Sequence, residues 1–280
     1  MVLFTLVMLY PTVQAFLISL QQYSLIRGVP STFVGLANYG RALHDPTFWR
    51  SLANSAVYLV ATVPVQIVGG LVLATALNGR FRGRVVFRLL LFVPVVISWV
   101  VVSLLFRYLF ETDSGFVNFL VTDVTGLTQE RIDWFGDRWT AMAAISVLGI
   151  WKGVGWTMII FLAALQSVPA ELKEAAAVDG AGRWQAFRAV SLPAIRRTLT
   201  FVTIMLVIGA FNVFISVQLM TDGGPADKTQ VPLTYLYREA FNFLDFGYGS
   251  AIAFLLTVIV FGFSVGQYWF GRRDEREGAR

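Results

Sequence analysis

Three groups of residues in this 280-residue sequence have types and spacings that could do chemistry. The first is the stretch from Val168 to Ile195, where an alanine-rich segment, a glycine turn and a second short segment follow one another. The second is Lys152, a lone cation inside a run from Thr140 to Ser167 that is otherwise uncharged. A cation at the centre of a bilayer costs about 2.5–3.5 kcal/mol on insertion scales, so such residues face a bundle interior or a wet cavity. Lys152 therefore has three readings: lining or gating a solute path, binding backbone carbonyls or a partner side chain, or snorkelling. Trp156, one turn on, either offers an aromatic face to a solute or packs against lipid or helix. The third group is Asn212 and Ser216, which share a face at i, i+4 if their segment is one helix. Asn212 is the better path candidate, against an interhelical hydrogen bond as the alternative.

Other chemistry is excluded by what the sequence lacks. There is no cysteine, which removes disulfides, thiol nucleophiles, iron–sulfur clusters and Cys-ligated zinc. The single histidine, His44, cannot alone build a metal site or a histidine relay, and it reads as a solvated surface residue. Asn78 to Arg84 holds glycines and arginines but lacks the lysine–hydroxyl pair of a phosphate loop, and no phosphate loop occurs elsewhere. No nucleophile–base or metal constellation of an enzyme is present.

The elements that must position these residues are apolar. Hydrophobic residues make up 56% of the chain and charged residues 14%, against about 45–50% and 25% in soluble domains. Disorder needs the opposite balance. About 20 apolar residues span a bilayer core as a helix, and six stretches, uncharged but for Lys152 in the fourth, approach or exceed that length. They are Met1 to about Leu20, Ser51–Leu77, Leu89–Phe106, Thr140–Ser167, Thr198–Met220 and Ser250–Phe270. None shows the polar face of a soluble core helix. The sequence thus predicts an all-α membrane protein with six transmembrane helices. Pro11, Pro64 and Pro94 fall inside these stretches and are expected to kink them, around a pathway or as packing kinks. The first stretch lacks a positive n-region and is read as a transmembrane helix rather than a signal peptide.

Charge sets the expected orientation. The segments 78–88 and 166–197 and the tail after Phe270 carry 13 basic and 6 acidic residues. The opposite segments carry 7 basic and 11 acidic residues, including six acids between Glu111 and Arg138. Lys and Arg collect on the cytoplasmic side, so both termini are expected there. The net charge of +5 and pI near 9.7 then report orientation and not nucleic-acid binding. Phe33 to Trp49 mixes aromatic and charged residues and should lie at the membrane interface.

The 166–197 segment predicts a helix–turn–helix. Pro169 suits a first turn, Glu171 to Val178 are mostly strong helix formers, and Gly180 can take the left-handed conformation that ends a helix. A second short helix from Arg183 to Ser191 should place Trp184, Phe187 and Val190 on one face, with Pro193 closing it. Ala175, Ala176 and Ala177 have so little bulk that another protein could approach the backbone closely. The physical reading stops at a docking element.

Glu174-Ala175-Ala176, then Asp179-Gly180-Ala181, Phe187 and Leu192-Pro193 resemble the EAA loop of binding-protein-dependent ABC importer permeases. Phe33-Val-Gly-Leu-Ala-Asn-Tyr39, Thr221-Asp-Gly-Gly-Pro225 and Gly247-Tyr-Gly-Ser-Ala251 are similar to pieces of its carbohydrate-uptake branch. The resemblance covers nearly the whole chain and implies a type-1 ABC importer permease fold. It implies one permease domain over 1–280, with a core at 50–270 and a cytoplasmic coupling loop at 166–197. In that family the EAA helix enters a cleft on a cytoplasmic ATPase. Carried over, Glu174 would pair with a polar or basic group of the ATPase and Ala175 and Ala176 would face it. Asp179 and Gly180 would form the turn, and Leu192 with Pro193 would return the chain to the fifth span. A departure is Arg197, where relatives often have proline; it is expected to soften the entry to the fifth span and to leave the docking helix intact. The implied partners are a second homologous permease, two ATPase subunits that bind ATP and Mg, an extracytoplasmic binding protein, the lipid membrane and a sugar-like solute. The chain itself would hold no cofactor and would sit in a prokaryotic inner membrane. Competing readings are an ion-driven secondary transporter, which predicts intramembrane carboxylates that the six stretches lack, and an importer of a related solute such as glycerol phosphate.

Overall fold

The computed structural model describes residues 3, 5–24, 30–79 and 82–277. Met1, Val2 and Phe4 of the first apolar stretch, and Arg27, Arg80 and Arg280 of the charge count, lie outside the described residues. Among the described residues the chain is mostly helical, with a short antiparallel ladder in which β1 (Gln21–Gln22) pairs with β2 (Thr32–Phe33) in the register Gln21 to Phe33. The helices are α1 (Thr5–Ser19), α2 (Ala37–His44), α3 (Pro46–Asn78), α4 (Arg84–Val96), α5 (Trp99–Leu109) and α6 (Arg138–Gln166). There follow α7 (Ala170–Val178), α8 (Arg183–Ala186), α9 (Arg196–Phe211), α10 (Ile215–Met220), α11 (Pro232–Tyr237) and α12 (Phe246–Glu277).

Among the described residues four segments are long and apolar enough to cross a membrane: α3, α6, Arg196–Met220 and Phe246–Trp269. The stretch Leu89–Phe106 is instead two helices, α4 and α5, bent by 94°. Pro94 supplies the physical reason, since it has no N–H for the carbonyl four residues back, and Ile97 leaves the helix with φ −69° and ψ 140°. Pro64, by contrast, lies inside an unbroken α3. Pro11 lies where the wider helical turn Thr5–Leu9 passes into Tyr10–Ser19, and α1 continues through it. At about 1.5 Å per residue, the described helix α1 is roughly 22 Å long. The expected fifth span is also interrupted. Helical geometry stops after Phe211 and resumes at Ile215, with Phe214 at φ −139° and ψ −65°. Asn212 and the bulky run Val213-Phe214-Ile215 are weak helix formers.

The chain divides into two compact units, each assembled from three stretches. The first comprises Met1–Val57, Ser103–Ala144 and Phe211–Phe263. Its core gathers Ala42, Phe48, Tyr235, Tyr248 and Ile252. Beside it, Asp45 accepts hydrogen bonds from the hydroxyls of Tyr235 and Tyr248, the latter at 2.6 Å, and from the Thr47 N–H at 2.7 Å. Arg41 adds an ion pair to Asp245 at 2.6 Å and covers the Tyr248 ring at 3.8 Å. These bonds tie the helix α2 to the start of α12. Burial alone would raise the Asp45 pKa, but the two tyrosine hydroxyls and the backbone donors outweigh it and hold the carboxyl below its ordinary value of 3.8. An acid with a depressed folded pKa stabilises the fold above its unfolded pKa and loses that contribution as pH falls through the folded pKa. Asp45→Asn is therefore expected to flatten the acid limb of unfolding below about pH 4, read as denaturation midpoints across a pH series.

The second unit comprises Tyr58–Val102, Ile145–Ala210 and Ser264–Arg280. Ala74, Leu77, Met158, Phe161, Leu165, Val168, Ile195 and Val202 form its core. α4 and α6 approach closely at Gly155. A Cβ there would stand 2.1 Å from the Leu91 carbonyl oxygen, so only glycine permits this backbone contact.

Candidate functional site

The segment after α6 is built on the second unit's core. Val168 and Ile195 are core residues at its two ends, and Phe187 and Val190 pack against the same cluster. Between them α7 projects with Glu174 and Ala175 exposed and Ala176 half-buried. Lys173 Nζ reaches the Leu165 carbonyl at 3.4 Å, bracing α7 against the end of α6. The turn after α7 is closed by the backbone. Gly180 N–H donates to the Ala177 carbonyl at 3.1 Å and Ala181 N–H to the Ala176 carbonyl at 2.9 Å. That pairing is a Schellman motif, and Gly180 fills its left-handed position at φ +78°. Asp179 N–H donates to the Ala175 carbonyl at 3.0 Å, so its backbone forms part of the turn. Gln185 Oε1 then accepts from the Gly182 N–H at 2.8 Å and starts α8.

Beyond α8 the helical path continues through a wider turn at Phe187–Ser191 to Leu192–Ala194. Leu192 is half-buried, Pro193 is exposed in the first turn of that last piece, and Arg197 lies in the first turn of α9. The expected common face of Trp184, Phe187 and Val190 is divided. Trp184 is 71% exposed and stacks on Phe187 with ring centroids 5.6 Å apart, while Phe187 and Val190 are held by the core. The result is an exposed surface of Leu172, Ala175, Val178 and Trp184 on a packed base.

The polar groups of the spans fall into two sets. Lys152 and Trp156 belong to the second unit, Asn212 and Ser216 to the first. Lys152 is buried, and its ammonium meets the carbonyls of Pro94, Val95 and Ile97 at 2.8, 3.3 and 2.5 Å. Trp156 is half-buried and packs on the second unit's core. The break between α9 and α10 overturns the expected shared helical face of Asn212 and Ser216. Asn212 is exposed within the break, whereas Ser216 is buried on α10, its hydroxyl without a hydrogen-bond partner among the described residues.

The loop that holds Thr221–Pro225, part of the resemblance above, is anchored in a way the sequence reading missed. Residues 221–231 hold Asp222, Ala226 and Asp227 at φ +51°, +47° and +60°, unusual for non-glycine residues. Asn54 Nδ2 binds the carbonyls of Lys228 and Gln230 at 2.9 and 2.7 Å, and Arg138 Nε binds Asn54 Oδ1 at 2.9 Å. Its partners lie 174 and 176 residues away, and the only local signal was the glycine–proline run Gly223-Gly224-Pro225. Asn54→Ala leaves two carbonyls unpaired, at a cost of about 1–3 kcal/mol. Faster hydrogen exchange across 228–231 is the expected readout.

The family described as the binding-protein-dependent transport system inner membrane component matches residues 66–275. The chain belongs to this family. Among similar relatives, the probable ABC transporter permease protein YurN of Bacillus subtilis is 35% identical, covering 98% of this chain and 94% of its own length. The arabinooligosaccharides transport system permease protein AraP of Halalkalibacterium halodurans is 38% identical, over 95% and 83% of the two chains. The lactose transport system permease protein LacF of Rhizobium radiobacter is 33% identical, over 96% and 90%. The crystal structure of a bacterial ABC transporter importing the acidic polysaccharide alginate superposes with a TM-score of 0.84, at 21% identity, covering 97% and 92%. That likeness shows the type-1 importer permease fold. The permease is a transport subunit and not an enzyme, and ATP is hydrolysed by a separate subunit. Among its described residues no cluster of His, Cys, Asp or Glu could hold a metal ion.

Proposed function

We propose that this permease translocates an oligosaccharide or related sugar handed over by an extracytoplasmic binding protein. Support for the solute class comes from relatives named for arabinooligosaccharides, lactose and sulfoquinovosyl glycerol. Support for the binding protein comes from an alginate transporter determined in complex with a pentasaccharide-bound periplasmic protein. A second homologous permease and two ATPase subunits complete the assembly. The finer topology is six crossings, with α1 as the first and the bent pair α4–α5 as the third, and both termini in the cytoplasm.

The observation that carries the coupling reading is the exposed Glu174–Ala175–Ala176 segment of α7, stopped by the glycine turn at Gly180 and seated on a packed base. In this reading ATP-driven closure of the ATPase pair draws this loop and its counterpart together. Glu174 pairs with the ATPase, and the small side chains of Ala175 and Ala176 let its surface approach. Asp179 and Gly180 hold the turn, and Leu192 with Pro193 transmits the motion to α9. The membrane helices then turn outward to accept solute, with Asn212, Ser216 and Trp156 as candidate contacts along its path.

The test is to purify the assembled complex through a tag on this chain and measure ATP hydrolysis across a panel of mono- and oligosaccharides and glycerol phosphate. Stimulation by a sugar together with its binding protein is expected. A rate unchanged across the sugars contradicts the carbohydrate reading.

A further inference from the structure

The last carbonyls of a helix have no partner within it, and a helix that ends in the middle of a membrane has no water to satisfy them. α4 ends inside an apolar stretch, at Val96, with two residues, Ile97 and Ser98, between it and the start of α5 at Trp99. The carbonyls of Pro94, Val95 and Ile97 are instead taken by one side chain, the Lys152 ammonium on α6. An ammonium has three donors and no acceptor, so three carbonyls occupy it fully. The Trp99 ring closes over it at 4.9 Å, and Lys152 is 4% exposed. The charge also stands at the C-terminal end of α4, where the helix dipole favours a cation.

We propose that Lys152 is the pin of the elbow at Ile97–Ser98, a positioning residue that fixes where the third apolar stretch turns and has no donor left over for a solute. A solute hydroxyl could bind Lys152 only by displacing a backbone carbonyl that has no other partner. The close contact of Gly155 with Leu91 sits on the same two helices and holds α4 within reach of the ammonium. Lys152 thus leaves the set of solute contacts, and the elbow joins the parts that must keep their shape for transport. That last step rests on the transport reading above, whereas the pin itself rests on the contacts alone.

The sequence has no cysteine, so Val85→Cys and Val101→Cys, both at exposed positions on the two sides of the elbow, are the only thiols this chain offers to spin labels, and the complex with the unsubstituted chain is the labelling blank. Distances are measured on the assembled transporter in lipid, without solute or nucleotide. The unsubstituted elbow is expected to give one narrow distribution. Lys152→Met should broaden it toward the roughly 24 Å of a straight helix across 16 residues. Lys152→Arg, which keeps charge and donors, should restore the narrow distribution. Lys152→Gln, with two donors and no charge, should fall between and serves if the methionine variant does not assemble. A narrow distribution unchanged in both Lys152→Met and Lys152→Gln overturns the pin. In parallel, Lys152→Met should lower the maximal rate of ATP hydrolysis about tenfold, with the ATP concentration for half-maximal rate unchanged. A widened elbow with an unaltered maximal rate leaves the pin standing and removes its role in coupling.

Discussion

Gly180→Pro is expected to lower ATP-linked uptake on the order of 100-fold while leaving the packed core of the second unit intact. Proline fixes φ near −65°, whereas Gly180 sits at +78°. It also removes the N–H that binds the Ala177 carbonyl and disfavours the conformation of Asp179, which has ψ 4°. Together these cost about 3 kcal/mol or more, a factor of roughly 100 in the population of the formed turn. Nothing lies within 4 Å of a Cβ built on Gly180, so the damage is confined to the turn. Gly180→Ala, which retains the N–H and meets only the left-handed penalty of about 1–2 kcal/mol, should fall in between. Glu174→Ala leaves helix propensity no worse and tests the carboxylate alone. Thermal unfolding of each variant beside its uptake rate separates the two effects. Full ATP-linked uptake in both Gly180→Pro and Glu174→Ala contradicts the coupling role of the loop.

The second large effect concerns assembly of the fold. Gly155→Val places a branched side chain where even a Cβ would stand 2.1 Å from the Leu91 carbonyl oxygen and 3.0 Å from Val95 Cγ2. The obstacle is backbone, which cannot rotate aside as a side chain can. α4 must move off α6, and the Pro94, Val95 and Ile97 carbonyls then leave Lys152. Gly155→Ala is expected to destabilise by about 1–3 kcal/mol as an overpacked contact, and valine by more. Gly209 provides the control, since its Cβ position is open and it lies inside α9. Gly209→Ala should be neutral or stabilise by up to about 1 kcal/mol. Unfolding midpoints in detergent distinguish the pair, and equal midpoints for Gly155→Val and Gly209→Ala contradict the close-contact account.

The features that proved legible in the sequence are local ones. Gly180 could be read because a helix stop depends on a few neighbouring residues, and the alanine-rich run of α7 because propensity is a local property. Long uncharged stretches are equally visible, and α3 and α6 lie close to the ranges expected for them. The breaks were not legible, because whether a helix yields depends on what receives its freed carbonyls. Pro94 and Pro64 look alike in sequence, yet only the helix bearing Pro94 ends within a turn, where Lys152, 58 residues on, donates to its carbonyls. The same limit hid Asn54, whose value lies in carbonyls 174 and 176 residues away. It also misplaced Asn212 and Ser216, because a periodic spacing has meaning only while the helix continues.

The central claim is that this chain carries solute under the power of ATP hydrolysed by a partner. The most direct measurement uses the tagged complex in proteoliposomes with ATP enclosed on the side of α7 and binding protein with labelled arabino-oligosaccharide and lactose on the other. Accumulation that needs ATP and persists when ionophores abolish the proton and sodium gradients is the predicted result. Accumulation that proceeds without ATP and collapses with the ionophores would contradict the account.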